Sequence, residues 1–274
     1  MENIRQAIER AKQSPKQQGG IAVEPPRQQA RHVFGDIPDS KEQMQEVELD
    51  FKHLQSRRIV AYDGKDFRSR SFDILRTEIL RSMDLKGWKT LAVTSPTPGC
   101  GKTLTATNLA LSIARQPDRR VLLADLDLRK PQVADCLGLK CRDGVLGVVE
   151  ERIEVGSAII PVRAGSSKLE VLPTASTSNS SDLVVSSAMK TLLHDVAGHG
   201  QSRIVILDLP PLLTGHDAIS ILPQVDCVLL VTAVGTSKIS EIEECNKYLQ
   251  ATDVVRVVLN KVSVSDPITR YSYY

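Results

Sequence analysis

Aromatic residues are scarce: four Phe, one Trp and five Tyr among 274 positions, 4% of the chain. A core for a chain this long must then be aliphatic. Five cysteines, at 100, 136, 141, 227 and 245, form no Cys-x-x-Cys pair. Their odd number and scatter argue against a disulfide framework and fit reduced thiols in a cytosol, each a small buried hydrophobe. No apolar run approaches the roughly 20 residues of a spanning helix. The longest, Cys227 to Val234, has strand length. The opening residues MENIRQAIERAKQ lack the apolar segment of a secretory signal. Neither charge sign dominates: a formal net charge of +2 gives no bulk electrostatic reason to expect nucleic acid or an anionic membrane as partner.

What is present divides the chain into three parts. Residues 1–65 combine short helical stripes, Ile4–Ala11 and Met44–Leu54, with a Gln/Pro/Gly linker at 13–29. Packing on the main domain is the preferred reading of both stripes, and docking to a partner the alternative. Residues 66–263 alternate short Val/Ile/Leu runs with helical stretches, which predicts a mostly parallel central sheet with helices on both faces. Strands are expected at 91–94, 121–125, 169–172, 204–207, 228–232 and 254–259. Helices are expected at 68–84, 102–115, 182–197, 215–222 and 237–250. Residues 264–274 form a tail carrying Tyr271, Tyr273 and Tyr274. Fully extended, it reaches about 35 Å.

The first strand runs into Pro96-Thr-Pro-Gly-Cys-Gly-Lys-Thr103 and then into the helical sequence LTATNLALSIA. Strand, glycine loop, Lys-Thr and helix make a phosphate-binding loop, although Pro96 stands where the strict pattern has Gly. Pro98, Gly99, Cys100, Gly101, Lys102, Thr103 and Leu104 are expected to hold nucleotide phosphates, with Thr103 also serving Mg²⁺. The next strand ends in Asp125-Leu-Asp127, and a third ends in Asp208 before Pro210-Pro211. Carboxylates at the carboxyl edge of a parallel sheet lie where such folds bind ligands, and they need a cation or a proton to accept. Lys102, Asp125, Asp127 and Asp208 are therefore the candidate catalytic set. Thr103, Asp125 and Asp208 are the candidate metal set. Arg129 and Lys130 either answer phosphate charge or are solvated. Together these residues describe a site for ATP and Mg²⁺.

The ordered set SPTPGCGKT, VLLADLDLRKP and VILDLPP resembles the cytoplasmic domain of bacterial tyrosine kinases of the capsule and exopolysaccharide system. SFDILRTEI, LEVLPTAST with DLVVSSAMKTLL, HDAISILPQVDCVLLVTAVGTSK and VVRVVLNKV resemble further family segments. The resemblance spans about residue 66 to the end. It implies a P-loop kinase domain at 66–263, with Lys102 and Thr103 on ATP–Mg²⁺ and Asp125 and Asp208 serving the metal. Asp127 then accepts the proton of a tyrosine hydroxyl, although the sequence leaves the split between Asp125 and Asp127 open. It also implies Tyr271, Tyr273 and Tyr274 as acceptors, modified between subunits of a homo-oligomer. Its remaining implications are a membrane-embedded polysaccharide chain-length regulator as partner, and a cytoplasmic location at the inner face of the plasma membrane without direct insertion. Where the family has Glu-x-x-Arg-x-x-Arg for ring assembly, this chain has Arg70, Asp73 and Arg76. Two other readings stand beside the kinase: a non-catalytic nucleotide-sensing subunit of an export machine, and a positioning or partitioning ATPase. The latter class carries a second Lys early in the loop, where this chain has Thr97.

Overall fold

Among the described residues, the aliphatic runs pair into one eight-stranded sheet. A computed structural model describes residues 46–178, 181–198, 203–250 and 252–262. The strands are β1 Val47–Glu48, β2 Thr90–Thr94, β3 Arg120–Asp125, β4 Ile160–Ala164, β5 Ser167–Leu172, β6 Arg203–Asp208, β7 Cys227–Ala233 and β8 Asp253–Asn260. Their spatial order is β1-β4-β5-β3-β6-β2-β7-β8. Of the pairings between these described strands, β4–β5 alone is antiparallel, so the expected mostly parallel sheet is present. The helices are α1 Phe51–Ser56, α2 Arg70–Lys86, α3 Lys102–Ala114, α4 Val133–Leu137, α5 Val145–Val149, α6 Val155–Ala158, α7 Ser181–Val185, α8 Ser187–Gly198, α9 Asp217–Ile221 and α10 Ile239–Leu249.

Period-two burial on both faces explains why the strands are apolar throughout. Leu91, Val93, Val121, Leu123, Ile204 and Ile206 enter one core with α1, α2 and α3. Ala92, Leu122, Ala124, Val205 and Leu207 enter the other with α8, α9 and α10. Helices thus cover both faces, as a parallel sheet requires.

Several boundaries differ from expectation, each for a local reason. Leu49, Leu54 and Ile59 are buried in the first core, so residues 49–59 pack with the strands and helices that follow them, and Ala61 is buried as well. Strand β4 escapes the sequence pattern because Pro161 interrupts its run; its only neighbour besides β5 is the two-residue β1. The helix expected at 182–197 is two helices. Ser186 Oγ donates to Leu183 O (2.7 Å) and accepts from Met189 N (3.1 Å), closing α7 and capping α8. Helices α4, α5 and α6 have five, five and four residues, too few to carry a 3.6-residue period. The stripe at Ile4–Ala11 and the tail tyrosines lie outside the described residues.

Candidate active site

Asp125 and Asp208 end adjacent parallel strands and are register partners, so both carboxyls leave the same sheet edge. Between β2 and α3 runs the glycine loop, with Gly99 at φ +83° and Gly101 at φ +92°. A side chain at Gly101 would push Asn260 aside: an added Cβ would lie 2.3 Å from its Nδ2. That amide, at the end of β8, donates to Cys100 O (2.9 Å) and ties the loop to the sheet.

Lys102 Nζ lies 2.9 Å from Asp127 Oδ2 and 3.3 Å from both Asp208 oxygens. Thr103 Oγ1 donates to Asp208 Oδ2 at 2.6 Å. Asp125 is fully buried, and its Oδ2 accepts the backbone N–H groups of Gln132 and Val133, each at 2.9 Å. Its Oδ1 accepts from Asp127 N (3.2 Å), while Thr174 Oγ1 donates to its backbone carbonyl (2.7 Å). Asp127 Oδ1 accepts from Lys130 N (3.0 Å).

Three carboxylates share one ammonium, and the ionisation follows from that. Burial is the largest influence on Lys102 and alone would lower its pKa. The charges of Asp208, Asp127 and Asp125 overturn it and hold the ammonium above its usual value. Burial, then the nearby Asp208 charge, pushes Asp125 up to about 8 against the backbone donors and Lys102. Burial likewise raises Asp208, opposed by Lys102 and the Thr103 hydroxyl. Such a site favours a cation or a proton. A hydroxyl beside a hard carboxylate is a donor set that suits Mg²⁺, which fits the expected ion.

The remaining expected residues divide. Pro98 and Gly99 are exposed at the loop tip and Leu104 is half-buried at the start of α3. Cys100 is buried, its Sγ 3.3 Å from Ser237 Oγ, which favours a small packing residue over a redox gate. Arg129 Nε donates to Asp217 Oδ2 of α9 at 2.7 Å. Asp73 and Arg76 turn inward: Arg76 Nη1 meets Asp73 (3.1 Å) and Ser112 O (2.9 Å), and Arg115 also pairs with Asp73. Sequence reasoning missed Asn108, Thr174, Asp217 and Asn260. Asn108 was visible in principle, as a polar residue in the apolar helix LTATNLALSIA.

This strand–loop–helix cradle has counterparts among known proteins. Residues 88–262 match the ParA family model, described as the NUBPL iron-transfer P-loop NTPase. The chain belongs to the ParA family of P-loop NTPases. Proteins similar to it include bacterial tyrosine-protein kinases. Tyrosine-protein kinase YwqD of Bacillus subtilis is 29% identical over 225 residues, covering 81% of this chain and 92% of that protein. The kinase domain of Escherichia coli tyrosine kinase ETK superposes with a TM-score of 0.65 at 26% identity, covering 76% of this chain and 83% of that one. EpsB of Ralstonia nicotianae is 31% identical over 250 residues, which are 88% of this chain. The chain spans 32% of the length of that EpsB protein and 26% of its Ralstonia solanacearum counterpart. Among the described residues, no helix of this ParA-family chain is long and apolar enough to cross a membrane.

Proposed function

We propose that this chain is an ATP-dependent protein-tyrosine kinase that phosphorylates its own C-terminal tyrosines. The observation that carries the reading is the convergence of Lys102, Thr103, Asp127 and Asp208 within hydrogen-bond reach at the carboxyl edge of the sheet. The glycine loop and the start of α3 receive the phosphates, and Lys102 leaves the carboxylates to meet the phosphoryl oxygens. Thr103 and Asp208 would hold Mg²⁺, with Asp125 behind them. When bound, that ion neutralises charge building on the phosphates. Asp125 has one oxygen taken up by two backbone donors and is the more enclosed, so proton acceptance falls to Asp127. The bond from the γ-phosphorus to the bridging oxygen breaks and a bond to the tyrosine oxygen forms. The tyrosine proton passes to Asp127, and ADP leaves.

Tyr271, Tyr273 and Tyr274 are the acceptors in this reading. In this reading a tyrosine is presented to the site of a neighbouring subunit. A homo-oligomer follows, together with a membrane-embedded polysaccharide chain-length regulator that brings the kinase to the inner face of the plasma membrane. The ring-assembly positions Asp73 and Arg76 bind within the chain, so the oligomer needs another surface. Incubation of pure protein with labelled ATP and Mg²⁺, beside Lys102→Ala, tests the reading. Mass mapping should place phosphate on the tail tyrosines. Bound ATP with no phosphotyrosine at any protein concentration would leave the nucleotide-sensing reading. Hydrolysis stimulated by lipid or DNA would indicate the partitioning ATPase instead.

A further inference from the structure

The stretch between β1 and α2 touches both halves of the site while belonging to neither. Asn108 lies on α3, five residues beyond Thr103, and is fully buried. Its Oδ1 accepts the N–H groups of Val60 (2.8 Å) and Ala61 (3.0 Å). Its Nδ2 donates to Arg58 O (3.2 Å) and Leu104 O (2.9 Å). Every hydrogen-bonding position of the amide is used, and the strap 58–61 is pinned to the phosphate-loop helix. Leu54 and Ile59, both fully buried, anchor the same stretch in the core.

The other end of this stretch grips α4. His53 Nε2 donates to Asp135 O at 2.7 Å, and Arg57 Nη2 donates to Asp135 Oδ1 at 2.8 Å. The His53 ring also packs on Gly138, where an added Cβ would lie 3.0 Å from its Cδ2. The N-cap residue Gln132 and the first residue Val133 of helix α4 supply the two N–H groups that hold the Asp125 carboxyl. A continuous path therefore runs from α3 through Asn108, the strap, α1 and Asp135 to Asp125. The Arg57–Asp135 pair is solvent-accessible, with side chains 46% and 58% exposed. Pairs so exposed contribute little to global stability, so the pair can be removed without unfolding the chain.

We propose that α1 and residues 57–61 form a positioning clamp. Arg57 and His53, acting through Asp135, set the Asp125–Asp127 loop against the phosphate-loop helix held by Asn108. Misplacing a reacting carboxylate by a fraction of an ångström slows chemistry more than binding. Arg57 and His53 are thus positioning residues for phosphoryl transfer. The catalytic consequence rests on the kinase reading above, whereas the mechanical coupling does not.

The test uses the full chain with Arg57→Ala, Arg57→Lys and the double variant His53→Ala/Arg57→Ala. Hydrogen exchange is followed in peptides covering 126–139 and 102–114, alongside kcat and KM for ATP in tyrosine phosphorylation. In the double variant, exchange in 126–139 should accelerate about fivefold, with 102–114 unchanged. The kcat should fall about five- to tenfold at constant KM, and Arg57→Lys should recover most of the loss seen in Arg57→Ala. Unchanged exchange in 126–139 overturns the clamp. Accelerated exchange across the whole chain, or a rise in KM at constant kcat, overturns the positioning role. If the unmodified protein makes no phosphotyrosine, the kinase reading falls, and the exchange result alone decides the coupling.

Discussion

Replacing Asp125 by Asn should make the nucleotide-free protein more stable while abolishing phosphoryl transfer. The carboxyl is fully buried, and its pKa is pushed from 3.8 to about 8. The folded state therefore binds the proton more tightly than the unfolded chain, and stability falls as pH rises from about 4 to about 8. A shift of that size corresponds to a ceiling of about 6 kcal/mol at the top of the window. The neutral amide oxygen can still accept from Gln132 and Val133, so the loop keeps its anchor. Allowing for relaxation around a buried charge, the gain at pH 8.5 should be about 2–3 kcal/mol. For a domain of this size that is an increase in Tm of about 5–10 °C. At pH 4.5 the native carboxyl is already protonated, and the two proteins should melt together. Thermal unfolding followed by circular dichroism at both pH values, without nucleotide, measures this. A variant less stable at pH 8.5, or equally stabilised at both pH values, would refute the claim that Asp125 carries a destabilising buried charge.

Other substitutions probe the same architecture. Gly101→Ala forces a Cβ against Asn260 at a positive φ, so it should cost about 1–2 kcal/mol and weaken ADP binding at least tenfold; unchanged affinity by calorimetry would contradict the loop geometry. Asn108→Ala strands the N–H groups of Val60 and Ala61, and urea unfolding should show a loss of about 2–4 kcal/mol at constant m. Cys100 is buried, so in the native protein it should react with a thiol reagent far more slowly than the partly exposed Cys141. Peptide mapping that found Cys100 modified first would overturn its packing role.

Much of the fold was legible because long buried strands and long amphipathic helices carry strong periodic signals. Strands β2, β3, β6 and β7 were expected within a residue or two, and so was α3. The glycine loop and the three aspartates could be found for a similar reason: a charge placed directly after an aliphatic run has few structural explanations. Long-range hydrogen bonding was not legible. Nothing local links Asn108 to Val60, Asn260 to Cys100 or Arg129 to Asp217, because each pair meets only after the sheet has formed. The pairing of Lys102 with Asp127 and Asp208, where phosphates were expected, likewise emerges only in three dimensions.

That resting contact makes nucleotide entry an exchange rather than an addition. Lys102 sits on Asp127 and Asp208, so its ammonium must abandon them to reach a phosphate. A nucleotide without a cation would leave those carboxylates facing each other, and facing Asp125, with only proton uptake to relieve their repulsion. A ligand that brings its own positive charge replaces what Lys102 withdraws. On the reading proposed above, the contact thereby favours nucleotide that arrives with a cation over nucleotide that arrives without one.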